Sequence, residues 1–274
     1  MIWLPNSENY CRIADWVELF VIKENRSISK QKIQTLFEEG GSDIEDRMAD
    51  VMNELERRLL LYGLQAPFKI NGVRVEPTIT WLNNPIHTLC LIFSTYGVES
   101  DTKKGTILFE RIGVQLLRQF FKSEVAHLGF PTNKNLTIQL NNVATSCSEL
   151  RGAYNPSKKE KDSGVDIILW KSFNDLRGSQ PIILAQCGAG ADWKTKSSIS
   201  LNMWNHYINW NYETTVPSMV ITEIVETDKW IKYSKTFGVL VDRARLYRIY
   251  TINQSNISKP FIKEIKDWCK SILN

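Results

Sequence analysis

Two short, almost continuously apolar runs constrain this chain most: GVDIILW at residues 164–170 and PIILAQCG at residues 181–188. Both are rich in branched residues and are separated by turn-forming residues around Asn174 to Gly178. Such runs are expected of inner strands in a sheet covered on both faces. A covered sheet needs helices, and the chain supplies them. SDIEDRMADVMNELERRLLLYG places Ile44, Met48, Val51, Met52, Leu55 and Leu59 at helical intervals, with Ser42 and Glu45 at capping-box spacing. ADWVELFVIK and SKQKIQTLFEE are shorter amphipathic helices, and NPIHTLCLIFSTYG is an apolar one. PFKINGVRVEP predicts a hairpin around Asn71-Gly72.

From Gly105 the pattern changes. GTILFERIGVQLLRQFFKSEVAHLG has the periodicity of one long helix. FPTNKNLTIQLNNVATSCSELRGAY predicts a loop and a short helix, and NPSKKEKDSG a charged loop. Asp192 is placed to cap a helix starting near Trp193. VPSMVITEIV and GVLVDRARLYRIY are expected as later strands, and KPFIKEIKDWCKSIL as a terminal helix with Pro260 near its start. The order implies an α/β fold. A mainly helical region, 1–100, precedes a domain at 101–274 with a central mixed sheet flanked by helices.

Charge divides the chain at the same place. Residues 1–100 hold 10 Lys/Arg against 14 Asp/Glu, and residues 101–274 hold 24 against 16. The basic portion suits a polyanionic partner, although solvated surface charge explains it equally well. The five cysteines, 11, 90, 147, 187 and 269, are odd in number and contain no CxxC pair. That excludes a zinc knuckle or a disulfide scaffold and points to a reducing, cytoplasmic compartment. The opening MIWLPNSENYCRIADW lacks the pattern of a signal peptide, and no apolar run reaches the roughly 20 residues that span a bilayer.

Asp166 interrupts an apolar strand, where a carboxylate is costly unless paired or coordinated. Alternation puts it on the face opposite Val165 and Ile167. Gln186 closes the next strand and can lie beside it if the strands are neighbours. A carboxylate and an amide oxygen are hard donors suited to Mg²⁺. A salt bridge at Asp166 and an ordinary hydrogen bond at Gln186 are the plainer alternatives. CGAGADWK lacks the Gly-Lys-Ser/Thr ending of a phosphate loop, and Cys187 has no recognisable Cys-His signature beside it.

GTILFER, KDSGVDIILWKSF and ILAQCGAGADWKTK together resemble the PD-(D/E)xK nuclease superfamily, over roughly residues 100–250. The resemblance implies a restriction-endonuclease-like core of α-β-β-β-α-β order. It also implies a helix carboxylate at Glu110, a strand carboxylate at Asp166 and a third ligand at Gln186. The backbone carbonyl of Cys187 would complete the set around Mg²⁺, for which Mn²⁺ could substitute. The superfamily's lysine belongs two residues after the third ligand, and Gly188 stands there instead. Gly188 is expected to leave open volume that a lysine from the next segment, Lys196 or Lys194, could enter. The implied activity is phosphodiester hydrolysis in double-stranded DNA, in a restriction or anti-phage setting. The alternative is an inactive relative that binds nucleic acid or protein. Lys158, Lys159, Lys161, Lys171 and Arg177 are candidate phosphate contacts, and Glu149 is a spare carboxylate near the site. The acidic first hundred residues are expected to pack on the core, form a homodimer or hold a regulatory protein. Asp242 and Arg243 are expected to form a buried ionic pair, and no membrane contact is expected.

Overall fold

The structure, a computed structural model, describes residues 3–5, 9–37, 44–97, 103–128, 135–156, 163–210 and 215–274. Asn9 starts the first helix, α1 (Tyr10–Glu24), by accepting the Cys11 N–H on its side chain. That satisfies one of the amides a helix start leaves without a partner. β1 (Ile28–Ser29), α2 (Lys30–Phe37) and α3 (Ile44–Tyr62) follow. Met48, Val51 and Leu55 form the buried stripe of α3; Ser42 and the side chains of Ile44 and Glu45 lie outside the described residues. The hairpin of β2 (Phe68–Asn71) and β3 (Arg74–Pro77) turns where Asn71 pairs with Arg74, with Gly72 at φ +58°. α4 (Pro85–Tyr96) is buried along nearly its whole length.

The second half contains α5 (Lys104–Phe121), β4 (Glu124–His127), α6 (Leu136–Cys147), β5 (Leu150–Arg151), β6 (Ile167–Trp170) and β7 (Ile182–Gly188). After a short 3-10 helix at Ala191–Thr195 come α7 (Leu201–Tyr207), β8 (Ile208–Asn209) and β9 (Val216–Ile221). α8 (Thr227–Phe237), β10 (Val239–Val241), α9 (Arg243–Asn253) and α10 (Lys259–Leu273) complete the order. The central sheet is mixed, in the order β10-β9-β7-β6-β4. β4, β6 and β7 are antiparallel, whereas β9 runs parallel to β7 and β10 parallel to β9. Helices cover both faces, and the sheet strands follow the expected succession, α5 before β4, β6 and β7 and α7 before β9, with α6 and β5 inserted between β4 and β6.

Three local expectations are corrected. α5 ends at Phe121, where Lys122 takes a left-handed conformation and its N–H closes on the Arg118 carbonyl. Glu124–His127 then leaves the helical pattern to form the sheet edge against β6, because ladder pairing outweighs weak helix propensity. In GVLVDRARLYRIY only three residues are strand. The Asp242 side chain accepts the Arg245 N–H at 3.0 Å and starts α9. Asp192 lies inside the 3-10 helix, whose cap position is Gly190.

Alternation along β7 separates two apolar layers. Ala185 and Cys187 join the large cluster that includes Leu108, Phe109 and Ile112 of α5, together with α1, α3, α4, α9 and α10. Leu184 joins a second cluster beneath α6 and α7. The first cluster draws on residues from Ile13 to Leu273, so α1, α3 and α4 share their core with α9 and α10. Arg243 is fully buried and pairs with Asp15 at 2.5 Å, while Asp242 is occupied as the α9 cap. The expected Asp242–Arg243 pair is thereby replaced by a link between α9 and α1.

Candidate active site at the β6 and β7 strand ends

Ile167 lies opposite Ala185, so the continued register sets Asp166 against Gln186. The ladder slips at this point. The Asp166 N–H donates to the Ala185 carbonyl at 3.0 Å, although Ala185 is already paired with Ile167. Two residues of one strand facing one of its neighbour make a bulge, which re-aims the side chain there. Val165 packs in the layer beneath α6 and Ile167 in the layer beneath α5. This corrects the expectation that both face one way, because the bulge interrupts the alternation. Gly164 precedes it at φ +81°, a conformation that L side chains rarely adopt. The Asp166 carboxylate then accepts the Cys187 N–H at 2.7 Å, where a continued ladder would have supplied a main-chain oxygen.

Lys196 reaches the same residue from the other side. Its Nζ donates to the Cys187 carbonyl at 3.0 Å. Lys196 follows the 3-10 helix as its C-cap and is half-buried. Lys194 goes elsewhere: its Nζ lies 2.7 Å from Glu223, over the Trp193 ring. The two lysines are thus sent to different partners. Neither occupies the space opposite Gly188. A Cβ on Gly188 would sit 2.6 Å from Trp193 Cβ, and Trp193 is fully buried with its indole N–H on Glu223 at 3.1 Å. The expectation of open volume is corrected, since a tryptophan fills it.

Glu110 approaches from α5. Gly113, about one turn further on, brings the helix down onto the sheet, since a Cβ there would lie 3.3 Å from Cys187 Sγ. Glu110 Oε2 lies 3.3 Å from His127 Nε2, and both side chains are partly buried. Arg111, next to Glu110 in sequence, pairs with Glu264 at 2.8 Å. His127 escaped the sequence reading because its segment continued a helical pattern. Burial pushes the Cys187 thiol well above its ordinary pKa; Asp166 and Glu110 add to the rise, and Lys196 opposes it. A thiol held neutral in this way is a poor nucleophile.

Gln186 is buried, and its Oε1 has no hydrogen-bond partner among the described residues. Alternation puts it on the Leu184 face, with its amide nitrogen 3.0 Å from where a Gly164 Cβ would sit. Among the described residues no group of three or more His, Cys, Asp or Glu forms a metal cluster. At the slipped ladder lie the Asp166 carboxylate and the Cys187 carbonyl, the latter already engaged by Lys196, while the Gln186 amide oxygen lies toward the Leu184 face. Buried polar atoms are normally satisfied, so the Gln186 oxygen is an acceptor left open to a ligand.

The remaining candidates do not converge. Lys171 and Arg177 lie in the β6–β7 connection, at the opposite end of these strands from Asp166. The Lys171 ammonium donates to the Lys122 carbonyl, and Arg177 pairs with Asp175 at 2.6 Å. Glu149 is buried at that same end, accepting the Ser179 N–H at 2.7 Å. Lys158, Lys159 and Lys161 fall outside the described residues.

No family model matches the chain, and no curated protein matches it. Among solved structures, MspJI restriction endonuclease in complex with a 27-mer oligonucleotide aligns at 13% identity and a TM-score of 0.34. The alignment covers 77% of this chain and 38% of that one, so the chain spans well under half the length of that structure. No helix among the described residues is long and apolar enough to cross a membrane.

Proposed function

We propose that the chain is a metal-dependent phosphodiester hydrolase acting on DNA, with a PD-(D/E)xK-like site in which the lysine is supplied by Lys196. One observation carries the reading: Asp166 and Lys196 grip the N–H and the carbonyl of Cys187, at 2.7 Å and 3.0 Å, where α5, the helix of Glu110, packs on that residue through Gly113. A carboxylate and an ammonium brought to one residue at a strand end are the pair this chemistry requires. Asp166 and Glu110 would hold Mg²⁺ or Mn²⁺ on the α5 side, with the Gln186 amide oxygen facing the Leu184 side of the same strand end. When bound, such an ion polarises a phosphoryl oxygen and acidifies water. Lys196 supplies positive charge where negative charge develops on phosphate, and orients the attacking water by hydrogen bonding. His127 keeps the Glu110 carboxylate turned toward the sheet. The buried Cys187 thiol takes no part, but its main chain joins acid to lysine.

The test is incubation of the protein with supercoiled plasmid and Mg²⁺, beside Asp166→Ala. Nicking by the native protein and a loss of at least about 100-fold in the variant is the expected result. Equal cleavage by both would remove Asp166 from the chemistry. A second reading, a nucleic-acid-binding domain without catalysis, is favoured by Gly188 at the family's lysine position. It predicts no cleavage by either protein together with retained DNA binding.

A further inference from the structure

We infer that DNA approaches along a basic face built by α5 and α10, on the sheet side that carries Glu110. The polyanionic partner rests on the function proposed above, whereas the geometry stands apart from it. On α10, Phe261, Ile265, Trp268, Cys269 and Leu273 are buried in the core. Lys259, Lys263, Lys266 and Lys270 recur at intervals of four, three and four residues. At 3.6 residues per turn they fall in one narrow stripe, one lysine per turn over about 16 Å. Among the described residues none of the four makes an ion pair; the Glu264 carboxylate between them is taken by Arg111.

α5 packs antiparallel on the core side of α10. The Trp268 ring fills the space that a Cβ on Gly105 would need, and Arg111 rests on the Phe261 ring at 4.5 Å. α5 brings its own row, Lys104, Arg111 and Arg118, continued by Lys122, at intervals of seven, seven and four residues. Seven residues are close to two turns, so these also share one face. Arg111, the neighbour of Glu110, ties α5 to α10 through Phe261 and Glu264. Phosphates neutralised by such rows release counterions, and the gain grows with each lysine engaged. A basic helix can also lie on an anionic membrane, but that mode inserts an apolar face. Here the apolar face of α10 is committed to the core, leaving only charge to present. The stripe therefore fits a nucleic-acid backbone.

The experiment is fluorescence anisotropy with a labelled 25-bp duplex in EDTA, titrated with salt, so that binding is read without cleavage. The expected result for K259Q/K263Q/K266Q/K270Q is a slope of log K against log[salt] shallower by about 3–4, and affinity lower by about 100-fold or more. K232Q/K235Q on α8, whose Trp230 and Tyr233 pack on the other face of the sheet, should leave the slope unchanged within about one. Circular dichroism checks that both variants fold. An unchanged slope in the quadruple variant overturns the inference, as does wild-type binding to phosphatidylserine vesicles in preference to the duplex. The nuclease reading fails separately: a lost slope with no plasmid cleavage leaves the face in place, while cleavage with an unchanged slope removes only the face.

Discussion

Lys194 and Lys196 show how little separates a surface ion pair from a candidate catalytic group. They are two residues apart, and the 3-10 helix ends between them. Glu223 at the end of β9 captures Lys194, so the longer reach to Cys187 falls to Lys196. Under the proposed mechanism, Lys196→Met should lower the single-turnover cleavage rate by about 10²–10⁴-fold, the range for a lost charge-stabilising or proton-handling group. Lys194→Met should lose less than about tenfold, because Lys194 is engaged with Glu223. Equal losses in the two variants would contradict the assignment. Asp166 was legible in the sequence because a carboxylate inside an apolar strand is conspicuous. His127 was not, since a lone histidine in a continued helical pattern carries no signal of its partner.

At the scale of elements, the β6–β7 pair depends on small residues at specific places. Gly164 permits the left-handed step before the bulge, and Gly188 lets the strand pass beneath Trp193. Under the proposed mechanism, placing a lysine there by Gly188→Lys should therefore yield no gain in cleavage. Even Gly188→Ala must move Trp193 Cβ from 2.6 Å, at an expected cost of about 1–3 kcal/mol of overpacking, read as a lower urea midpoint. A variant as stable as the native protein would show that Trp193 has room to shift. The strands were readable as branched apolar runs, whereas the bulge was not, because it depends on which strand pairs with which. β4 was hidden for the same reason: EVAH becomes a strand only with β6 beside it. α9 did announce itself through Asp242, but the apolar run before it was extended too far.

Across the whole molecule, a buried ionic network ties the acidic first third to the sheet region. Arg58 pairs with Asp15 at 2.7 Å and with Glu54 at 2.7 Å, and Arg243 joins Asp15 from α9. The Tyr62 hydroxyl donates to Glu18 at 2.9 Å. Burial alone would raise the Glu18 carboxyl, but Arg243, His87 and Arg58 outweigh it and hold the group at about 2. A carboxyl lowered from 4.5 contributes stability that is fully present above that pH and is lost as pH falls toward 2. Arg243→Met should therefore destabilise the protein by about 3–5 kcal/mol at neutral pH, since it strands buried carboxylates. The difference should shrink as the pH falls from 4.5 toward 2. Urea titrations at pH 7 and pH 3 check this, and a pH-independent difference would count against it. The charge contrast between the two parts of the chain was visible in the sequence. That their opposite charges meet inside the core was not.

The sequence by itself determined the α/β class, the two inner strands, the helix that carries Glu110 and the position of Asp166. These follow from local hydrophobic period and from the cost of placing a charge in an apolar run, both properties of neighbouring residues. Only the tertiary structure decided the bulge at Asp166, the different partners of Lys196 and Lys194, the filling of the Gly188 space and the partner of Arg243. Each depends on side chains brought together from distant parts of the chain, where the outcome is set by which group reaches a given atom first. Local pattern holds no record of that distance.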